Sequence, residues 1–249
     1  MRSSLSLKRV HVGNYYIDVR QAGPAKSTDH IVFIHGIGVS GRYFVPLAEK
    51  FAQTHNVHVI DMPGYGSTPK PKGPLSLVEM AQIIEGYLGA SDIRKAVVVG
   101  QSMGCQTVVH FAAMHPDRCS ELILIAPTIN RKERNVFIQA VRLFQDMFFE
   151  TVRANVTIFS DYLRMGFVRY IITTRFMIDD RIEENIAQLR VKTLIIRGSN
   201  DPIVPKAWVE YLVSRNKDVT AIQIPRAAHL VQFTRPNEVL NGVASFLDQ

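Results

Sequence analysis

Cysteine is scarce in this chain. There are two, Cys105 and Cys119, and they form no metal-ligand spacing, so a cysteine-held metal is excluded. Long apolar runs are missing too, since none approaches the roughly 18 residues that a membrane-spanning helix needs. Residues 1–20 alternate short apolar and charged positions without the apolar core of a secretion signal, which makes a cytoplasmic location the expectation. No lysine/arginine block or nucleic-acid motif accompanies the net charge of +7. A generally basic surface, tolerant of an anionic partner, is therefore expected in place of nucleic-acid binding. Internal repeats and low-complexity segments are absent as well.

What remains is an ordinary globular composition, 47% hydrophobic and 20% charged over 249 residues. A chain of this length buries about three-quarters of its unfolded surface, so neither disulfide nor metal is needed for stability. The most informative stretch is Ala96-Val-Val-Val-Gly-Gln-Ser102-Met-Gly-Cys105. Four apolar residues, three of them β-branched, read as a buried parallel strand. Gln106–Met114 has the length and apolar content of a helix, so Ser102 falls on a sharp strand-to-helix turn. Gly100 and Gly104 remove the side chains that would clash there. The helix N-terminus aims amide donors at the serine.

Around this turn the chain alternates strands and helices. Val10–Val12 and Tyr15–Val19 flank Gly13-Asn14 as a hairpin. Strands are expected at His30–His35, Asn56–Asp61, Ala96–Val99, Glu121–Pro127, Lys192–Arg197 and Val219–Pro225, with helices at about Tyr43–Thr54, Leu77–Leu88, Lys206–Arg215 and Arg235–Leu247. Ser76 and Glu79 form a capping box for the second helix. Alternation of this kind implies an α/β class with a mostly parallel sheet covered on both faces. It breaks between Thr128 and about Leu189, where only helical, aromatic-rich sequence appears. Val136, Ala140, Leu143, Phe144, Met147 and Phe148 give one broad apolar face there.

A serine hydroxyl needs a base to take its proton. Of the histidines after Ser102, His110 and His115 lie in or at the end of the turn's own helix. His229 sits on a short loop after the last strand. Asp201 lies in Gly198-Ser-Asn-Asp201-Pro-Ile-Val-Pro205, directly after another strand.

The elbow Gly-x-Ser-x-Gly, the Asp201 and His229 loops, His35-Gly-Ile-Gly38 and Asp61-Met-Pro-Gly-Tyr-Gly-Ser67 occur in one order, and in that order the chain resembles the α/β-hydrolase family, in its serine esterase/lipase-like branch. The resemblance implies an eight-stranded α/β-hydrolase core over residues 1–128 and 190–249, with a helical cap at 129–189. It also implies a triad of Ser102 as nucleophile, His229 as base and Asp201 as acid. The oxyanion hole would be the amides of Ile37 and Met103, whose side chains are expected to line the pocket, and His35 would hold the oxyanion loop in shape. Gly36, Gly38, Phe159, Tyr162, Phe167, Ile203 and Leu230 are the expected substrate contacts. His55-x-x-His58 lacks a third ligand, so no metal is expected, and no cofactor. Arg131, Arg134, Arg164 and Arg169 would either meet a substrate carboxylate or form solvated helix faces, the second being preferred.

The implied function is hydrolysis of a small apolar carboxylic ester or lactone through an acyl-enzyme. Fold does not decide substrate. The alternatives are a C–C bond hydrolase of the meta-cleavage-product type, whose usual Gly-Asn-Ser-x-Gly-Gly elbow differs from this one, a slow-turnover ligand-binding receptor, and an acyltransferase.

Overall fold

The computed structural model describes residues 4–25 and 27–248. Its eight strands are β1 (Ser6–Val12), β2 (Tyr15–Ala22), β3 (His30–Ile34), β4 (Asn56–Asp61), β5 (Ala96–Gln101), β6 (Cys119–Ile125), β7 (Thr193–Gly198) and β8 (Val219–Ile224). They form one sheet in the order β1-β2-β4-β3-β5-β6-β7-β8. β1 and β2 pair antiparallel, as do β2 and β4, and every other pairing is parallel. Among the described residues ten α-helices accompany the sheet: α1 (Val45–Phe51), α2 (Leu77–Ala90), α3 (Met103–Met114), α4 (Val136–Asp146), α5 (Val152–Met165), α6 (Phe167–Asp179), α7 (Ile182–Ile186), α8 (Lys206–Ser214), α9 (Val231–Thr234) and α10 (Pro236–Leu247).

The apolar runs become the centre of the sheet. All six residues of β5 are buried, and so are all six of β7, as expected for strands covered by helices on both faces. Because β3, β5, β7 and β8 all run parallel, the loops that leave their carboxyl ends lie along one edge. Those loops carry Gly36, Ser102, Asp201 and His229. The sheet thus gathers residues from four distant parts of the chain.

Local chemistry sets most boundaries. Ser76 accepts a hydrogen bond from the Glu79 amide, and the Glu79 carboxylate accepts one from the Ser76 amide, closing the capping box that starts α2. The hairpin is longer than its apolar pattern: β1 begins at Ser6 because most of it is exposed edge, buried only at Val12. A helix over Tyr43–Thr54 does not form as one piece. A 3-10 turn at Gly41–Phe44 precedes α1, with a proline in the first turn of α1. The short α9 carries no pattern of its own and escaped the sequence reading.

Helices α4 to α7 follow one another along the chain between β6 and β7. The broad apolar face expected there lines an open groove rather than the closed core, and Leu143 alone of it packs against the core. Phe144, Met147 and Phe148 are exposed, and the one buried residue of α4 is Asp146. Buried Met165, Met177, Ile182 and Ile186 join these helices to the core, and polar side chains fasten them further. Asp161 on α5 accepts from the Ser40 amide at 3.0 Å, the Ser40 hydroxyl at 2.8 Å and Arg42 Nε at 3.1 Å. Asp180 takes Gln106 at 3.0 Å and pairs with His110 at 2.7 Å. No described helix is long and apolar enough to cross a membrane.

Candidate active site

Ser102 sits between β5 and α3 with φ 53° and ψ −119°, a left-handed conformation that L-residues rarely adopt. Two contacts explain why glycine flanks it on both sides. A Cβ on Gly104 would run into the Ile34 carbonyl oxygen, and one on Gly100 into the Gly104 carbonyl. The close approach of α3 to β3 and β5 therefore requires both glycines. Met103 opens α3, where an amide has no partner within the helix.

Asp201 is buried behind the imidazole. Its Oδ1 accepts from the amides of Ile203 at 2.8 Å and Val204 at 3.1 Å, and its Oδ2 lies 2.9 Å from His229 Nδ1. An ionised carboxylate can only accept, so Nδ1 carries the proton and Nε2 is left as the basic nitrogen. Burial alone would lower the His229 pKa. The charge of Asp201 and its hydrogen bond, then Asp146 and Glu150, outweigh burial and raise it to about 9. Ser102 and His229 line one cavity of about 70 Å³, and the link between them is this shared wall rather than a hydrogen bond.

A buried relay ties the loops together. The Gly36 amide donates to the Tyr43 hydroxyl at 2.8 Å, and that hydroxyl donates to Gln101 Oε1 at 2.8 Å. Gln101 Nε2 then donates to the His229 carbonyl at 3.2 Å. The loop after β3, the turn between β5 and α3, and the His229 loop thus share one hydrogen-bonded line. His35 stands beside it: Nδ1 donates to the Gly36 carbonyl at 2.8 Å and Nε2 accepts from the Met62 amide at 3.1 Å. Tyr43→Phe would strand two buried polar groups, so a stability loss of about 1–3 kcal/mol is expected. Chemical denaturation measures that loss, and kcat should fall more than KM changes.

The pocket residues expected from sequence divide. Gly36, Ile37, Tyr162, Ile203 and Leu230 line the cavity. Gly38 lies under the Tyr162 ring, where a Cβ would collide with it, and is not a lining residue. The Met103 side chain is buried away from the cavity, with its sulfur 3.9 Å from the Tyr65 hydroxyl. Phe167 lines a separate groove, and Phe159 lines neither space and points outward. Helical spacing gives the face a residue shares, not the direction in which that face turns.

The groove, about 540 Å³, runs between α4 on one side and α5 and α6 on the other. It shares Leu143, Tyr162, Tyr170 and Thr174 with the cavity wall. None of the four singled-out arginines reaches the cavity. Arg134 is held in an ion pair with Glu183 at 2.7 Å and is not the solvated face expected for it, and Arg131 stacks 3.8 Å from the Tyr211 ring centre. Arg169 donates to the carbonyls of Pro71 and Gly73, and Arg164, largely exposed, lies 3.6 Å from Asp161.

Two carboxylates escaped the sequence reading. Asp146 Oδ1 accepts from the His229 amide at 3.2 Å, and Glu150 Oε1 accepts from the Leu230 amide at 2.6 Å. Burial, reinforced by neighbouring negative charge, raises the Asp146 pKa to about 6 and the Glu150 pKa to about 7. No local pattern marks them, because each partner lies 80 or more positions away along the chain.

Residues 29–171 match the alpha/beta hydrolase fold family. Over 114 residues the chain is 33% identical to a pimeloyl-[acyl-carrier protein] methyl ester esterase of Chromobacterium violaceum, covering 45% of this chain and 41% of that protein. A 2-(acetamidomethylene)succinate hydrolase of Mesorhizobium japonicum is 23% identical, with 97% and 95% covered, and esterase YbfF of Escherichia coli is 24% identical, with 88% and 92% covered. The chain spans about half the length or less of the first two curated relatives it matches, 47% and 41%. A crystal structure described as a membrane phospholipase A superposes with a TM-score of 0.84 at 19% identity, covering 99% of this chain and 86% of the other, a likeness of fold. The chain belongs to the alpha/beta hydrolase family.

Proposed function

We propose that this protein hydrolyses an uncharged carboxylic ester or lactone with an apolar portion, through an acyl-enzyme on Ser102. The observation that carries this reading is the composition of the cavity wall. Beside Ser102 and His229 it is mostly apolar, it contains no lysine or arginine, and its one carboxylic acid besides is Asp146. A buried carboxylate disfavours an anionic substrate, and no lysine or arginine is at hand to offset it once His229 is the neutral base.

In this mechanism the Ser102 Oγ attacks the ester carbonyl while His229 Nε2 takes its proton, and Asp201 stabilises the imidazolium. The tetrahedral oxyanion receives hydrogen bonds from the Ile37 and Met103 amides. Collapse breaks the ester C–O bond, and the imidazolium protonates the departing alcohol. Water then attacks the acyl-enzyme, giving its proton to His229, and the acid leaves as the Ser102 hydroxyl is restored. A cavity of about 70 Å³ holds about two water volumes, enough for the reacting group alone. The groove beyond Leu143 and Tyr162 would take the apolar chain, with α4 to α7 acting as a cap. Turnover of p-nitrophenyl esters of rising acyl length tests this: sustained turnover is expected, with kcat/KM rising with length until the groove is filled. A single burst of about one product per protein would instead indicate a receptor.

The carboxylates give the reaction a pH signature. The base works only as neutral imidazole, and His229 is raised to about 9 by Asp201, Asp146 and Glu150 acting against burial. Activity is therefore expected to climb with pH toward about 9. Glu150→Gln keeps an acceptor for the Leu230 amide and removes one negative charge, so the midpoint of kcat/KM against pH should move down. An unmoved midpoint would detach Glu150 from the base. The stability sign follows the same raised values: all three groups bind protons more tightly when folded, so their contribution is full below the unfolded pKa. It is lost as pH rises through about 6 for Asp146, about 7 for Glu150 and about 9 for His229.

A further inference from the structure

Two helices between β6 and β7 turn their apolar faces to solvent. On α5, Val152, Val156, Phe159 and Leu163 recur at steps of four, three and four, so they share one face. All four are between 63% and 80% exposed. The same steps join Phe137, Val141, Phe144 and Phe148 along α4 and just past its end, and Phe137 and Phe148 reach 75%. The inward sides hold the polar anchors Asp146 and Asp161 together with Leu143, Ile158, Tyr162 and Met165, which pack against the core. An amphipathic helix in water normally buries its apolar face, and a patch of this extent marks an interaction surface.

Charge identifies what covers it. Between residues 134 and 178 the carboxylates are Asp146, Glu150 and Asp161, and all three are buried, whereas Arg153, Arg164 and Arg175 are exposed. Arg153 and Arg164 are eleven positions apart on α5 and so flank the same side of its stripe. The face is apolar and cationic with no exposed acid. A second copy packed on this face would bring up the same positive charge, with no exposed carboxylate between residues 134 and 178 to pair with these arginines. An anionic bilayer supplies both an apolar interior and negative headgroups. The face is also continuous with the candidate site, because Phe144, Met147, Leu163 and Phe167 are exposed and line the groove that shares four residues with the cavity.

We propose that this face docks on an anionic phospholipid surface and opens the groove toward the bilayer, so that the acyl chain of a membrane-borne ester reaches Ser102. Delivery of the chain rests on the ester-hydrolase reading above, and docking does not. The test is sedimentation of the full chain with vesicles of phosphatidylcholine, with and without phosphatidylglycerol. Binding to the mixed vesicles is expected to exceed binding to phosphatidylcholine alone by about tenfold or more, and to weaken as salt is raised. Phe148→Asp with Val156→Asp touches neither cavity nor groove. That pair should lose vesicle binding at least tenfold while keeping wild-type turnover of soluble p-nitrophenyl acetate. Arg153→Glu with Arg164→Glu should remove the preference for the anionic vesicles. Wild-type protein that binds neither vesicle, or an aspartate pair that binds as well as wild type, overturns the proposal. So does a dimer in solution that the aspartate pair converts to monomer, because a second copy would then be the occupant. Absence of p-nitrophenyl acetate turnover in the wild type defeats the hydrolase reading and leaves the docking result standing.

Discussion

Replacing Ser102 by alanine is expected to lower kcat for ester hydrolysis by about 10⁴–10⁶-fold, with the fold intact. The size of the effect follows from the geometry. The Ser102 hydroxyl lines the cavity at the start of α3, so in the proposed mechanism its loss removes the acyl-enzyme route and leaves binding and oxyanion stabilisation alone. Alanine carries a Cβ just as serine does, so the left-handed φ of 53° is no more strained in the variant. The residual rate should be independent of acyl-enzyme trapping reagents. Single-turnover kinetics beside a thermal melt separate loss of chemistry from loss of folding. A variant with more than about a hundredth of wild-type kcat would remove Ser102 from the mechanism.

The second large effect is Asp201→Asn, for which a fall in kcat of about 10⁴ is expected. The asparagine carbonyl can still accept from the Ile203 and Val204 amides, which hold Asp201 Oδ1 at 2.8 and 3.1 Å. Its amide nitrogen then replaces Oδ2, 2.9 Å from His229 Nδ1. Two donors cannot share that contact, so the imidazole shifts its proton to Nε2 and loses the lone pair that faces the cavity. The loop geometry survives and the base does not. The His229 pKa should also fall, because the first charge that opposes its burial is gone. A loss smaller than tenfold, in a variant that melts like wild type, would mean that Asp201 serves the loop rather than the imidazole.

Much of this site could be read in the chain because each part sits where a strand ends. Ser102, Asp201 and His229 each follow an apolar run, and parallel strands put their carboxyl ends on one edge. Gly100 and Gly104 declared the tight turn because no other residue fits beneath it. What escaped the sequence reading depends on contacts between distant segments. Gln101 occupies a variable position of the elbow motif, yet it joins Tyr43 to the His229 carbonyl. Asp146 and Glu150 lie in an aromatic-rich stretch with a periodic apolar face, yet the one buried side chain of α4 is Asp146. Phe159 and Phe167 are not cavity residues: Asp161 anchors α5 to Ser40 and Arg42 and Phe159 is left exposed, whereas Phe167 on α6 lines the groove.

The most direct test of the account is covalent labelling with a fluorophosphonate, read by mass spectrometry of the proteolysed chain. This reagent reacts only with a hydroxyl whose proton a nearby base accepts and whose oxyanion is stabilised. One equivalent is expected on Ser102, with labelling slowed at least a hundredfold by His229→Ala. Labelling at another residue, or no labelling of protein that still turns over p-nitrophenyl esters, would contradict Ser102 as the activated nucleophile.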